Sequence, residues 1–147
     1  MKIKRSGSVV WHGGFPGGSG NISTDSGALR SYPYGVASRF EGQHGSNPEE
    51  LIAAAHASCF AMALALVLGE AHVVPAQLFV AAEVTLEQQF GDFAITAVDL
   101  SVRADVPGMQ AAAFEQCAQL AKQKCPVSKL LRAQISLQAA LTSAAAA

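Results

Sequence analysis

Eighteen consecutive residues, from Leu51 to Leu68, carry no charged side chain in a chain of 147 residues. A run of this kind approaches the length of a bilayer span. Many of its positions are alanine, however, and His56, Ser58 and Cys59 interrupt it. Glu49, Glu50 and Glu70 bracket it, and no Lys or Arg flanks it to set an orientation. A helix that is apolar all round and does not lie in lipid is one buried on every side. The residues just before it supply a helix start. Asn47 is a good N-cap, Pro48 suits the first helical position, and Glu50 stands third, where it can complete a capping box. Both acids favour the positive end of the helix dipole. Gly69 and then Pro75 end it, so residues 47–69 are expected to form one long helix.

The rest of the chain reads as strands before that helix and strands with one more helix after it. Strands are expected at 2–12, 21–24 and 28–32. Gly13 to Gly20 serves as a glycine-dense hairpin connection, Pro33-Tyr34-Gly35 as punctuation, and residues 38–41 lie near a further strand end. Residues 77–89 and 93–104 alternate as a long antiparallel hairpin turning at Gly91-Asp92. A helix over 110–124 presents Ala113, Phe114, Cys117, Leu120 and Ala121 on one face. It breaks at Cys125-Pro126, a short helical turn covers 127–131, and 133–141 forms a last strand with a frayed tail at 144–147. This order predicts an α+β fold, antiparallel sheets around a long buried central helix, rather than the alternation of a parallel sheet. One domain spanning 1–147 is expected, with N-terminal strands in 1–46, the central helix in 47–69, and hairpin, helix and last strand in 76–142. A chain this small can cover only one side of such a helix, so a second copy is the natural cover for the other.

Composition narrows the function. Ten Lys and Arg against eleven Asp and Glu give a formal net charge of -1, which offers no bulk attraction to nucleic acid or to an anionic membrane. The basic start is followed by no apolar leader segment, and three cysteines with no C-x-x-C pair do not make a disulfide scaffold, so the expected compartment is the cytoplasm. No finger-like spacing of Cys and His marks a metal site, and no G-x-S-x-G elbow marks a hydrolase.

Cys59 reads either as a small buried filler or as a reactive thiolate. It stands twelve residues past the N-cap, about 18 Å along the axis, beyond the reach of the helix dipole, so a thiolate there needs an external cation. Arg39 is of the right type, being always charged and presenting a planar fork of donors, and Glu49 is free to hold it because the cap needs only Glu50. Glu49 and Cys59 lie about 15 Å apart along one helix, so if both serve one site, two copies must pack antiparallel and lend each other residues. Cys125, beside a chain break, could condense with an oxidised Cys59 if the fold brings the two together. Cys117 reads as core, and His56 as a satisfied buried histidine.

These stretches together resemble the OsmC/Ohr family of thiol-dependent organic hydroperoxide reductases. The resemblance rests on Asn47-Pro48-Glu49-Glu50-Leu51 running into Ala54-Ala55-His56-Ala57-Ser58-Cys59-Phe60, and on Cys125-Pro126-Val127-Ser128-Lys129. It extends through Ser23 to Gly27, Pro33-Tyr34-Gly35, Arg39 to Gly42, Phe93 to Thr96 and Val106-Pro107-Gly108. The position of Arg39 just before the central helix, together with His56, is similar to the OsmC branch. The resemblance implies an intertwined homodimer with two interface sites. In each, Cys59 would be the peroxidatic cysteine, Cys125 the resolving one, Arg39 the activating cation and Glu49 its anchor. It further implies reduction of organic hydroperoxides, and more weakly of hydrogen peroxide, through a Cys59 sulfenate and a Cys59–Cys125 disulfide. An external dithiol, lipoyl-type or other, would regenerate the thiols without any cofactor or metal. Phe40, Phe60 and Met62 are the expected apolar wall of the substrate pocket. The competing expectation is a non-catalytic thiol redox sensor or a small-ligand binding dimer.

Overall fold

The computed structural model describes residues 1–142, so the tail at 144–147 lies outside the described residues. The chain divides into two compact units, Met1–Leu51 and a second beginning at Ile52.

In the first unit, β1 (Gly7–His12), β2 (Ser19–Thr24) and β3 (Tyr32–Gly35) form an antiparallel sheet in the order β1-β2-β3. The glycine-dense segment does connect a hairpin, with His12 opposite Ser19. The expected strand over 28–32 is displaced. The paired residues are Tyr32 to Gly35, including the Pro33 read as punctuation. Proline is admissible there because β3 is an edge strand, where a missing N–H breaks no ladder. The expected strand end at 38–41 is instead a short helix, α1 (Val36–Phe40). Its first turn is closed by Ser38, whose hydroxyl accepts the Gly35 N–H at 2.9 Å and lies 2.8 Å from the Ser46 carbonyl oxygen.

The long helix, α2 (Pro48–Glu70), starts where the N-cap predicts and runs through Gly69, ending one residue beyond the expected stop. The Asn47 side-chain oxygen accepts the Glu50 N–H at 2.8 Å. Glu50 does not close the reciprocal half of a capping box; its carboxylate accepts the hydroxyl of Ser46 at 2.6 Å.

The second unit holds β4 (Gln77–Gln89), β5 (Asp92–Asp105), α3 (Ala111–Lys124), α4 (Pro126–Leu130) and β6 (Gln134–Leu141), with sheet order β4-β5-β6. The β4–β5 hairpin turns at Phe90 and Gly91, both with positive φ, the geometry that matches the twist of the strands. Its partner β6 pairs with β5 in parallel, which corrects the expectation of purely antiparallel sheets. The reason lies in the connection: α3 and α4 carry the chain back along the sheet, and a helical crossover returns a strand parallel to the one it left.

The core of this unit is built from Phe60, Leu64, Val67 and Leu68 of α2, Leu100, Val102 and Ala104 of β5, and Phe114, Ala118 and Ala121 of α3. On α3 the inward face includes Ala118, whereas Leu120 is 40% exposed, which shifts the expected stripe by a fraction of a turn. Truncating a fully enclosed side chain leaves a cavity that the neighbours fill only in part. Leu64→Ala is therefore expected to lower stability by about 3 kcal/mol, read from the midpoint of chemical denaturation.

Although α2 is long and apolar enough to cross a membrane, a stripe of it packs into this core. The opposite side is uncovered: Met62 and Leu66 are 76% and 61% exposed. The chain thus covers one face of its most apolar helix and leaves another to be covered.

Candidate active site

The structure gathers the predicted site residues into two groups, one in each unit. The first is an ion pair. Arg39, the basic residue in the last turn of α1, meets Glu49 in the first turn of α2 through two parallel bonds. Nε donates to Oε2 at 3.1 Å and Nη2 to Oε1 at 2.5 Å. This fork-to-fork geometry fixes the plane of the guanidinium, not just its distance. It exists because Ser46 and Asn47 satisfy the remaining groups of the helix start. Glu50 takes the Ser46 hydroxyl and offers its N–H to Asn47, which leaves Glu49 for the arginine. A guanidinium carries five N–H donors, so those not aimed at Glu49 remain for an incoming oxygen or sulfur anion. The pair is not sealed off, since the arginine side chain keeps 29% of its exposure against 12% for the glutamate.

Beside this pair lies an apolar recess of about 200 Å³, lined by Trp11, Phe15, Tyr34, Val36, Arg39 and Phe40 among others. The Arg39 guanidinium carbon is 5.1 Å from the centre of the Phe40 ring. Phe15 meets Phe40 edge-on at 6.4 Å, and Trp11 packs against Tyr34 at 5.4 Å. Sequence reasoning named Phe40 but missed Trp11, Phe15 and Tyr34. Phe15 sits in the glycine-dense connection to which no role was given, and Tyr34 in a segment read as punctuation. The available signal was the density of aromatics upstream of Arg39, with Trp11 in the first expected strand and Phe15 and Tyr34 in the connections after it. Phe60 is fully buried in the core of the second unit, and Met62 is solvent-facing on α2.

The second group is the thiol pair. Cys59, partly buried on α2, and Cys125, fully buried at the junction of α3 and α4, are free thiols brought into direct interaction. Cys125 caps both helices: its N–H donates to Ala121 at 2.9 Å and its carbonyl accepts the Lys129 N–H at 3.1 Å. Burial pushes the Cys59 thiol up, opposed by the N–H of Val127, and the neighbouring Cys125 pushes it further in the same direction. For Cys125 burial also acts upward. The Ser128 N–H and hydroxyl, the Cys59 thiol and the Val127 N–H together outweigh it and draw Cys125 below its ordinary value. The groups around Cys59 in its own unit therefore favour the neutral thiol. The cation that the sequence argument demands for a thiolate is not among the groups acting on it there.

His56 is completely buried on α2, with Nε2 2.8 Å from the Ser128 hydroxyl oxygen, and burial lowers its pKa. It is satisfied on one side only: its Nδ1 has no hydrogen-bond partner among the described residues. Cys117 is half-buried and packs against the core. Among the described residues no cluster of His, Cys, Asp and Glu could hold a metal ion.

The profile of the OsmC-like protein family matches residues 41–140. The chain is 47% identical over 143 residues to the peroxiredoxin OsmC of Escherichia coli K12, covering 97% of this chain and all of that protein. It is 33% identical over 97 residues to an organic hydroperoxide resistance protein of Xanthomonas axonopodis pv. citri, covering 65% of this chain and 66% of that one. Among solved structures, the organic hydroperoxide resistance protein OhrB of Bacillus subtilis superposes with a TM-score of 0.72 at 27% identity, over 95% of this chain and 98% of that one. A corresponding protein of Elizabethkingia anophelis gives 0.73 at 25% identity, over 98% and 99%. By sequence and by fold, the chain belongs to the OsmC-like protein family.

Proposed function

We propose that the chain is a thiol-dependent peroxidase that reduces organic hydroperoxides, and hydrogen peroxide more weakly, to alcohol or water. A peroxide-related redox role is supported by the relatives, which are a peroxiredoxin and hydroperoxide resistance proteins. The observation that carries the finer reading is the contact between the free thiols of Cys59 and Cys125, brought together from distant parts of the chain.

In the proposed reaction the Cys59 thiolate attacks the outer peroxide oxygen. An S–O bond forms as the O–O bond breaks, and the alcohol departs with a proton. The resulting sulfenic acid condenses with Cys125 to a disulfide and water, and an external dithiol reduces that disulfide. Arg39 stabilises both the thiolate and the charge developing on the leaving oxygen, while Glu49 holds its plane. The recess walled by Phe40, Trp11 and Phe15 takes the alkyl portion of the substrate, with exposed Met62 as a further apolar contact. Buried Phe60 supports the helix behind Cys59 rather than meeting substrate.

The working form is a homodimer in the cytoplasm, each site made of the cysteine pair of one subunit and the Arg39–Glu49 pair of the partner subunit. Two features support this. Cys59 needs a cation that its own unit does not provide, and α2 keeps an uncovered apolar face. The family match, running from 41 to 140, crosses the division between the two units, which supports treating 1–147 as one OsmC-like domain.

The test is a steady-state assay with an alkyl hydroperoxide and a dithiol. Many turnovers per protein support an enzyme, while consumption of a single equivalent overturns it in favour of a sensor. Cys125→Ser is expected to complete one turnover with little change in the first step. It then accumulates added oxygen mass on Cys59, because the sulfenate meets a second peroxide before it meets a thiol. Intact-protein mass spectrometry after one and ten equivalents of peroxide reads this directly.

A further inference from the structure

A fully buried histidine ring normally satisfies both nitrogens, and His56 does not. Its Nε2 is 2.8 Å from the Ser128 hydroxyl, while its Nδ1 is enclosed and unpartnered among the described residues. The ring has two tautomers. If Nε2 accepted from Ser128, Nδ1 would carry an orphaned N–H, a rarer and costlier defect than an orphaned lone pair. The favoured tautomer thus has Nε2 donating to the serine oxygen. A serine hydroxyl has one hydrogen, and with its oxygen accepting from His56 that hydrogen is available to the sulfur of Cys125, with which Ser128 also interacts.

We propose that His56 is a positioning residue for the resolving thiol: its ring orients the Ser128 hydroxyl so that it donates to the Cys125 sulfur and poises Cys125 to attack oxidised Cys59. The proposal rests on the peroxidase reading above. In the step concerned the Cys125 thiolate attacks the Cys59 sulfur, and the proton given up by Cys125 is the one that leaves with the hydroxide. The S–S bond forms as the S–O bond of the sulfenic acid breaks, and the departing hydroxide takes up a proton as water. The only oxidant is the hydroperoxide already consumed.

Other titratable groups in the surrounding elements do not replace this chain. Lys122 of α3 donates to the Ile135 carbonyl at 2.7 Å, and Lys124 pairs with Glu70 of α2 at 2.8 Å. On β5, Asp99 accepts from Ser136 and Arg103 lies over the Phe79 ring. Lys129 follows Ser128 on α4, and the titratable group interacting with Cys125 is Cys59. Because burial keeps His56 neutral, it acts as a fixed donor and not as a base.

The experiment follows disulfide closure after one equivalent of alkyl hydroperoxide, by rapid quench and mass spectrometry across pH. His56→Leu is expected to slow closure about tenfold at pH 7 and to move its pH midpoint up by about one unit, the shift equivalent to that factor. Oxidation of Cys59 itself should change less than about twofold, since the chain touches Cys125 and not the peroxide. Ser128→Ala should match His56→Leu, and the double variant should be no worse than either alone. His56→Gln, whose amide nitrogen can stand where Nε2 stands, should recover most of the rate. Ser128 is only half-buried, so Ser128→Ala keeps the test available if His56→Leu does not fold. Unchanged closure profiles, equal slowing of both steps, or His56→Gln behaving like His56→Leu would each overturn the positioning role. A wild-type chain that forms no Cys59–Cys125 disulfide overturns the peroxidase mechanism itself; a normal wild-type disulfide with unaffected variants overturns this proposal alone.

Discussion

Cys59→Ser is expected to reduce turnover of an alkyl hydroperoxide with dithiol to the uncatalysed background while leaving the fold intact. The two halves of that expectation have separate grounds. Serine differs from cysteine by one atom, and the position is only partly buried at the margin of a core to which α2 contributes its fully buried side chains through Phe60, Leu64 and Leu68. Stability should therefore move by no more than about 1 kcal/mol, checked by thermal denaturation. The chemistry has no such tolerance. The attacking species must be a polarisable anion at neutral pH, and an alkoxide is inaccessible where even the thiol is pushed up by burial. Cys125 cannot substitute, although its own surroundings draw it below its ordinary value. It is fully enclosed at the junction of α3 and α4, where a peroxide does not reach it. Retained turnover in Cys59→Ser, assayed by peroxide loss, would remove the peroxidatic assignment.

The thiols differ in acidity in the wrong order for such an enzyme if a single chain is considered alone. Cys59, the proposed nucleophile, is raised, and Cys125, the proposed resolving thiol, is lowered. In the proposed site a cation beside Cys59 favours its thiolate, and Arg39, held in a fixed plane by Glu49 with donors to spare, is the cation proposed for that place. The same arrangement explains why the arginine needs its carboxylate. A freely rotating arginine would lie along the apolar stems around it, whereas two bonds to Glu49 hold its remaining N–H groups in one direction.

How far the residues alone foretold this differs from part to part. The start of α2 was legible because Asn47 and Pro48 are chemical signals that act locally, whereas Gly69 lies inside the helix, which ends one residue later. The long hairpin was legible because β4 and β5 alternate with the period of a half-buried strand. The pairing of Glu49 with Arg39 is realised as a bidentate pair, although Glu50 is held by the Ser46 hydroxyl and not by the capping box expected to occupy it. What failed depended on pairing across the chain. Pro33 reads as a breaker until its strand is known to be an edge, and the short α1 offers too few turns for a period to register. The parallel pairing of β6 is set by where α3 and α4 deliver the chain, which no local pattern records. Trp11, Phe15 and Tyr34 escaped for the same reason, since the recess beside Arg39 exists only once β1, β3 and α1 are assembled. Half of the His56 reading also failed. Its burial was legible, but the empty side of its ring was not.

The last prediction tests whether one site needs two chains. Cys59→Ser and Arg39→Ala are each expected to be inactive as purified dimers, the first for want of a nucleophile and the second for want of the cation that makes one. Suppose the two are unfolded together in equal amounts and refolded. If a site takes its cysteines from one subunit and its arginine from the other, each mixed dimer has one site carrying both lesions and one carrying neither. Random pairing makes half of the dimers mixed, so about one quarter of the wild-type activity should return. A site assembled within a single chain predicts no recovery at all, because every chain then carries a lesion in its own site. The same logic predicts that a charge on the uncovered face of α2 abolishes activity without touching the chemistry. Leu66, 61% exposed in the single chain, is the position to use. Leu66→Asp should yield a folded protomer by sedimentation with circular dichroism unchanged, because an isolated carboxylate cannot be buried against a second apolar helix without a cost of several kcal/mol. If those protomers still reduce hydroperoxide, or if the mixed refolding restores nothing, Arg39 acts on the Cys59 of its own chain and the shared site is wrong.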